Sequence, residues 1–148
     1  MAELPGAVLF ACTHNTVRSP MAEAILKYLH GQRIYVQSAG VRRGEQIDPF
    51  VVEVMDEIGL DVSRHWPRSF DELEDDFFDL VISLSPEAHH RAVELTRSSA
   101  AEIEYWPTPD PTLVEGSREQ RLEAYRKVRD LLLQRIRERF PPAGSPAP

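Results

Sequence analysis

The one cysteine of the chain, Cys12, lies six residues before Arg18, and Ser19 follows that arginine directly. A thiol becomes a strong nucleophile only when it ionises, and a neighbouring cation, a hydroxyl donor and a helix N-terminus all favour the thiolate. The same groups bind a tetrahedral oxyanion, because backbone N–H groups and a guanidinium converge on its oxygens. This pattern predicts a nucleophilic cysteine beneath an oxyanion site. The simpler structural interpretation of Cys12 is a small buried apolar residue.

Chemistry at such an oxyanion also needs an acid for the leaving oxygen, and two Asp-Pro pairs are candidates. Asp48-Pro49 precedes an apolar helical pattern, so a helix N-cap is enough to explain it. Asp110-Pro111 lies in a proline-rich loop with no apolar helix directly after it, which makes capping a poor explanation. Asp110 is therefore the better candidate for the acid, with a role in a turn as the structural alternative.

Four apolar segments predict the strands that position these residues, and a helical pattern follows each of them. The segments are 7–12, 34–40, 77–85 and 102–107. The expected N-caps of the four helices are Ser19, Asp48, Ser85 and Ser117. A shorter acidic helix is expected after Ser69, which has the spacing of a capping box with Glu72.

Strands that alternate with helices favour an α/β fold. We expect a three-layer sandwich with a four-stranded parallel sheet, helices on both faces and a flavodoxin-like topology. Ligands of such sheets bind at the carboxyl ends of the strands. That edge would carry Cys12, the turn at 38–40, the end of the third strand at 83–85 and the loop at 108–112.

Composition limits the possible classes of protein. The 148 residues are expected to form one domain at 1–140 with a disordered, proline-rich tail at 141–148. A single cysteine excludes an internal disulfide, the first residues lack a basic signal-peptide region, and no apolar run approaches the roughly 20 residues of a spanning helix. We therefore expect a cytoplasmic protein that binds no membrane. The net charge of −7 argues against a nucleic-acid partner.

No spacing of residues is typical of a metal site. The acidic run at 71–76 is explained by a solvated helix face. His89 and His90 are adjacent on a predicted helix and so face different directions. We expect neither a metal nor another cofactor.

The segment VLFACTHNTVRSPMAEAIL, residues 8–26, resembles the opening of the low-molecular-weight protein tyrosine phosphatases, which belong to a superfamily shared with arsenate reductases. Their signature is Cys-x5-Arg-Ser-Pro-Met-Ala-Glu-Ala, and the match at 18–24 is the most specific part. Weaker matches continue along nearly the whole chain. They are Ser38-Ala39-Gly40, Asp48-Pro49, Gly59, Ser63-Arg64-His65, Phe78-Asp79-Leu80 and Asp110-Pro111.

The resemblance implies a role for each matching residue. Cys12 would attack phosphorus and form a phosphocysteine, Ser19 would stabilise the thiolate, and Asp110 would serve as acid and then as base. Asn15 would order the loop in a left-handed turn bonded to Ser38. The phosphoryl group would be bound by the loop residues Thr13, His14, Asn15, Thr16, Val17 and Arg18.

The sequence departs from the family where phosphotyrosine phosphatases carry aromatic pocket walls. The regions concerned read Val-Arg-Arg-Gly at 41–44 and Thr-Leu at 112–113. Arg42 and Arg43 are either contacts for an acidic or multiply phosphorylated substrate or a solvated pair. His14 replaces the usual glycine and either serves the backbone or points into the pocket. Trp66 either supplies an aromatic wall or, more simply, packs in the core.

These observations together predict a phosphatase that hydrolyses phosphomonoesters, with protein phosphotyrosine or a small aryl phosphate as the substrate. One alternative is an arsenate reductase that uses an external small thiol, because a lone cysteine excludes an intramolecular relay. The other alternative is a non-catalytic module that only binds phosphate. Phosphate or arsenate is the expected ligand in each case.

Overall fold

The computed structural model describes residues 4–74, 77–97 and 99–142. Four parallel strands of this part of the chain form one sheet in the order β2-β1-β3-β4. The strands are β1 (Ala7–Cys12), β2 (Tyr35–Gly40), β3 (Leu80–Ser83) and β4 (Glu102–Tyr105). This is the flavodoxin order with one strand fewer, so the predicted α/β class and topology are confirmed.

Helices cover both faces of the sheet. They are α1 (Arg18–His30), α2 (Pro49–Asp56), α3 (Pro86–Leu95) and α4 (Arg118–Arg139), with short 3₁₀ helices at Phe70–Glu72 and Pro111–Leu113. α1, α2 and α4 bury their apolar residues in one cluster with one face of the sheet. α3 and the first 3₁₀ helix pack on the other face. The result is the expected three-layer arrangement.

Strand β1 lies between β2 and β3, and all six of its residues are buried. Side chains alternate along a strand, so Val8, Phe10 and Cys12 point towards α1 and α4. Leu9 and Ala11 point towards α3. The strand that carries the cysteine is therefore held on both faces and on both edges, and the sulfur has a fixed position.

Three of the four expected helix caps are confirmed, and the fourth is wrong. Asp48, Ser85 and Ser117 each accept a backbone N–H at the start of α2, α3 and α4. Ser19 is not an N-cap, because α1 already begins at Arg18 and Ser19 lies inside its first turn. Its hydroxyl is turned instead towards the loop before the helix, where it finds polar partners.

Several predicted elements are shorter in the structure. The expected strand at 77–85 is limited to β3, because Asp79 accepts the N–H groups of Gly6 and Ala7 through its side chain and Ser85 caps the next helix. The capping box of Ser69 and Glu72 is present but opens only one 3₁₀ turn. Residues 75–76 of the acidic run and 143–148 of the predicted tail lie outside the described residues. Among the described helices, none combines the length and apolar character needed to cross a membrane.

Candidate active site

The connection between β1 and α1 turns sharply at Asn15. This residue has a φ of 61°, and it is the one non-glycine residue with a positive φ in the described part of the chain. Asparagine tolerates this left-handed conformation better than most residues. The end of β2 packs closely against the turn, since a Cβ on Gly40 would lie 2.8 Å from the backbone nitrogen of Asn15. The Ser-Ala-Gly segment therefore needs its glycine for close approach.

Every carbonyl of the connection points outward to a hydrogen-bond donor. The carbonyls of residues 12–17 accept, in order, from Val41 N, Arg42 N, Gly44 N, His65 Nε2, Asp48 N and Met21 N. The C=O and N–H of a trans peptide point in opposite directions, so the N–H groups of residues 13–18 face the inside of the loop. Apart from Asn15 N, these N–H groups have no acceptor among the described residues. Such a concave set of donors is suited to an anion.

The sulfur of Cys12 lies at the base of this loop, and the residue is 2% exposed. Its Sγ lies 2.9 Å from the hydroxyl oxygen of Ser19 and accepts the backbone N–H of Asn15 at 3.3 Å. The Ser19 oxygen itself accepts a hydrogen bond from Asn15 Nδ2 at 2.8 Å. The proton of Ser19 is consequently available for the sulfur, and two donors converge on Sγ.

The side chain of Asn15 is fully buried and uses all of its hydrogen-bonding capacity. Nδ2 also donates to Ser38 Oγ at 2.9 Å. Oδ1 accepts from the backbone N–H of Arg68 at 3.0 Å and lies 3.1 Å from His65 Nε2. Asn15 thereby connects the loop to β2 and to the segment at 65–68.

Two residues that the sequence analysis missed complete this network. Ser38 donates to Glu23, which also pairs with Lys27. His65 lies with Nδ1 4.0 Å from Glu23 and with Nε2 near Asn15, as described above. Burial lowers the pKa of His65, although Glu23 opposes the shift, so the imidazole is neutral and its Nε2–H can donate. The position of Glu23 one helical turn after Ser19 was the available signal. For His65 the available signal was the weak family match at Ser63-Arg64-His65, which indicated no role for it.

Arg18 and Thr13 tie the loop to other carboxyl ends of the sheet. The guanidinium of Arg18 is buried and donates through Nη1 to the carbonyl of Thr108 at 3.0 Å. Thr13 donates its hydroxyl to Ser85 Oγ at 3.1 Å, at the start of α3. The bond to Thr108 fixes the segment that leads into Asp110.

Asp110 lies with Cys12 and Arg18 around one small cavity. The expectation that capping explains Asp110 poorly is wrong, because Oδ1 accepts both the N–H of Thr112 at 3.0 Å and its hydroxyl at 2.7 Å. A single 3₁₀ turn, with no apolar pattern, follows the aspartate, and so the sequence did not reveal it. The second oxygen, Oδ2, has no hydrogen-bond partner within the described residues. The half-buried carboxyl group thus combines a fixed position with one free oxygen.

The rim of the cavity is polar. Its described lining residues are Cys12, His14, Thr16, Val17, Arg18, Asp110 and Thr112. His14 is exposed on this rim, and no aromatic ring from the described residues joins it. Arg42 and Arg43 instead pair with Glu87 and Glu72, both at 3.1 Å.

The simpler expectation, that Trp66 packs in the core, is wrong. Trp66 is 78% exposed, because residues 60–68 run over the outside of α1. It also does not line the cavity above Cys12. Among the described residues, no group of three or more His, Cys, Asp or Glu side chains is placed to hold a metal ion.

Comparison with known proteins agrees with this geometry. Residues 7–140 match the family model of the low molecular weight phosphotyrosine protein phosphatases. The chain belongs to this family. The resemblance found in the sequence is therefore confirmed.

Relatives within the family carry names of two activities. The arsenate reductase of Halalkalibacterium halodurans is 34% identical over 130 residues, which cover 88% of this chain and 91% of that protein. The solved low molecular weight protein tyrosine phosphatase from T. tengcongensis is 31% identical with a TM-score of 0.70, over 88% of this chain and 94% of that one. An arsenate reductase solved in the phosphate binding state is 29% identical with a TM-score of 0.69, over 89% and 94% of the two chains.

The contacts of Asn15 predict the effect of two substitutions on stability. Asn15→Gly should lower the free energy of unfolding, because the buried side-chain hydrogen bonds are lost at about 1 kcal/mol each. Asn15→Ala should be less stable than Asn15→Gly by about 1 kcal/mol, because alanine is strained at a left-handed φ. Urea denaturation of the three proteins measures both differences. Equal stability of the alanine and glycine variants would mean that the loop does not hold this conformation.

The contact between Ser19 and Sγ predicts a change in thiol reactivity. Ser19→Ala should slow alkylation of Cys12 by iodoacetamide at neutral pH about tenfold, because a hydrogen bond to an ionised group is worth about 1.5–3 kcal/mol. Mass spectrometry follows the single adduct, since the chain has one cysteine. Ser99→Ala, at an exposed position, is the matched control. An unchanged rate in Ser19→Ala contradicts the assignment of its hydroxyl as the donor.

Proposed function

We propose that this protein hydrolyses phosphomonoesters in two steps through a phosphocysteine on Cys12. The observation that carries the proposal is the position of the sulfur, which accepts the N–H of Asn15 and lies 2.9 Å from the Ser19 hydroxyl at the base of a loop whose N–H groups face inward. A module that only binds phosphate needs neither a stabilised thiolate nor a carboxyl group beside it. The family match to phosphotyrosine phosphatases supports the same reaction.

In the first step the loop binds the phosphoryl group. The N–H groups of residues 13–18 and the guanidinium of Arg18 hold its non-bridging oxygens, and the Nη1 bond to Thr108 leaves other Arg18 donors available. The thiolate of Cys12 attacks phosphorus in line with the leaving oxygen. The S–P bond forms as the P–O bond breaks, and Asp110 transfers its proton to the leaving oxygen.

In the second step water displaces the sulfur. The carboxylate of Asp110 accepts a proton from the attacking water, the O–P bond forms and the S–P bond breaks. Ser19 donates its hydrogen bond to the departing thiolate, so the same contact that stabilises the nucleophile stabilises the leaving group. Inorganic phosphate is released and the enzyme returns to its starting state. The two steps need no metal or other cofactor.

Protein phosphotyrosine is the substrate that the family match suggests, and a small aryl phosphate is its laboratory counterpart. The polar rim of the cavity bears on how the ring of an aryl phosphate would bind. A phenol ring would meet the side chains of His14, Thr16 and Thr112 rather than a stacked aromatic wall. Ring binding should therefore contribute little to affinity compared with the phosphoryl group.

Arsenate reduction is the second candidate, because the relative from Halalkalibacterium halodurans is named for it. The oxyanion loop suits arsenate as well as phosphate. Reduction of arsenate to arsenite consumes two electrons, and a thiol pair supplies them by forming a disulfide. The chain has one cysteine, so at least one thiol must come from outside.

A side-by-side assay separates the two reactions. We expect release of nitrophenol and phosphate from p-nitrophenyl phosphate, with Cys12→Ser inactive but still able to bind inorganic phosphate. We expect no arsenite from arsenate in the presence of glutathione, with or without glutaredoxin. Arsenite formation without phosphate release would replace the proposal with the second candidate. Phosphate binding without either reaction would leave only a binding module.

The role of Asp110 predicts a dependence on the leaving group. Asp110→Asn should slow turnover of an alkyl phosphate by a factor of about 10² to 10⁴, because a poor leaving group needs a proton. Turnover of p-nitrophenyl phosphate should fall less, since nitrophenolate leaves without full protonation. Asp71→Asn removes an exposed carboxylate that pairs with Arg91 and serves as the control. An equal loss for both substrates would remove Asp110 from the acid role.

A further inference from the structure

A second concave surface lies outside the active site, between α1 and the segment at 60–68. We name it the α1 groove, and its volume is about 550 Å³. The side chains that line it include Lys27 and Tyr28 from α1 and Arg64, His65, Trp66 and Arg68 from the segment. A volume of this size is in the range of protein ligand sites. None of these residues lines the cavity above Cys12.

Two large aromatic side chains of the groove face solvent. Trp66 is 78% exposed and Tyr28 is 71% exposed. Exposed tryptophan is unusual, because the ring loses much favourable burial when it stays in water. Tryptophan, tyrosine and arginine are also the residues that contribute most to binding at protein interfaces. The groove therefore has the composition of a binding surface rather than of a solvated loop.

The charge of the groove is opposite to that of the whole chain. Arg64 and Arg68 line the groove, and neither has an ion pair among the described residues. Lys27 pairs with Glu23 but leaves half of its side chain exposed. Asp61, the other acidic residue here, accepts hydrogen bonds from Ser63, which lower its pKa, and the charge of Arg64 lowers the pKa further. The three cations Lys27, Arg64 and Arg68 outnumber the carboxylates Glu23 and Asp61, so the groove is locally positive in a chain of net charge −7. This local charge favours an anionic partner.

We propose that the α1 groove docks an acidic peptide segment of a partner protein. Carboxylates of the peptide pair with Arg64 and Arg68, and its apolar side chains cover the rings of Trp66 and Tyr28. A peptide fits better than a nucleic acid, because nucleic-acid binding relies on many cations along successive phosphates, whereas the groove offers Lys27, Arg64 and Arg68 beside two large apolar rings. The proposal is independent of the reaction at Cys12.

The groove also shares residues with the support of the active-site loop. His65 is the floor of the groove and donates to Asn15, and the backbone N–H of Arg68 donates to the same residue. The exposed side chains of the groove, by contrast, have no contact with the active-site loop. Variants for a binding test are therefore best placed at Arg64 and Trp66.

Fluorescence of Trp66 provides a direct measure of docking. The chain has two tryptophans, and Trp106→Phe leaves Trp66 as the one tryptophan, which excitation at about 295 nm selects over the tyrosines. A short synthetic peptide of glutamate with interspersed leucine should shift this emission to the blue saturably, because the ring leaves water. The same peptide with glutamine in place of glutamate should bind at least about fivefold more weakly. The fluorescence signal does not depend on turnover. Peptide binding is therefore tested even if the protein hydrolyses no phosphomonoester.

Substitutions locate the binding site. Arg64→Ala should weaken peptide binding at least about fivefold, and Arg64→Lys should recover part of the loss. Arg33→Ala, which removes an exposed cation outside the groove, should leave affinity unchanged. Trp66→Ala, followed by calorimetry, should also weaken binding, and circular dichroism checks that each variant is folded. Absence of saturable binding, equal affinity in Arg64→Ala, or tighter binding of an oligonucleotide than of the peptide would overturn the proposal.

Discussion

The carboxamide of Asn15 is the contact on which the shape of the active-site loop depends. One nitrogen holds Ser19 and Ser38, and one oxygen holds the segment at 65–68. Its left-handed backbone places the N–H of the same residue on the sulfur of Cys12. The side chain and the main chain of one residue thus orient the Ser19 hydroxyl, the loop and the neighbouring strand β2 together. Because every polar atom of the Asn15 side chain is buried and hydrogen-bonded, the arrangement is rigid.

Rigidity matters because an oxyanion site stabilises charge only when its dipoles are already oriented. Cys12 ends a strand that is buried on both faces, and Arg18 begins the first helix, so neither depends on a flexible segment. Asp110 lies on a 3₁₀ turn whose preceding loop is bonded to Arg18. Cys12, Arg18 and Asp110, to which the proposal gives the roles of nucleophile, anion-binding cation and acid, are consequently held relative to each other by hydrogen bonds across the edge of the sheet.

Local patterns in the sequence predicted the layered fold, three of the four helix caps and the strand edge at which Cys12, Arg18 and Asp110 meet. They failed where the hydrogen-bond partner of a side chain lies outside the local sequence pattern. Ser19 has the sequence of an N-cap but turns to Cys12 and Asn15. His65 contacts the loop from 50 residues away, and no local spacing indicates such a contact. Asp110 was predicted to be free of capping, because a single 3₁₀ turn leaves no apolar periodicity to detect. The exposure of Trp66 likewise follows from the path of residues 60–68 over α1, which composition alone does not reveal.

The outward carbonyls of the loop carry a consequence for the order of assembly. Their donors at 41–48 and at 65 come from parts of the chain that are synthesised well after Cys12. Bringing them together requires closure of long chain segments, which is entropically costly early in folding. A nascent or partly unfolded chain therefore exposes an ordinary peptide around an ordinary thiol. The loop around the thiol is complete only when these remote segments have docked, so the proposed activity would report on completed folding.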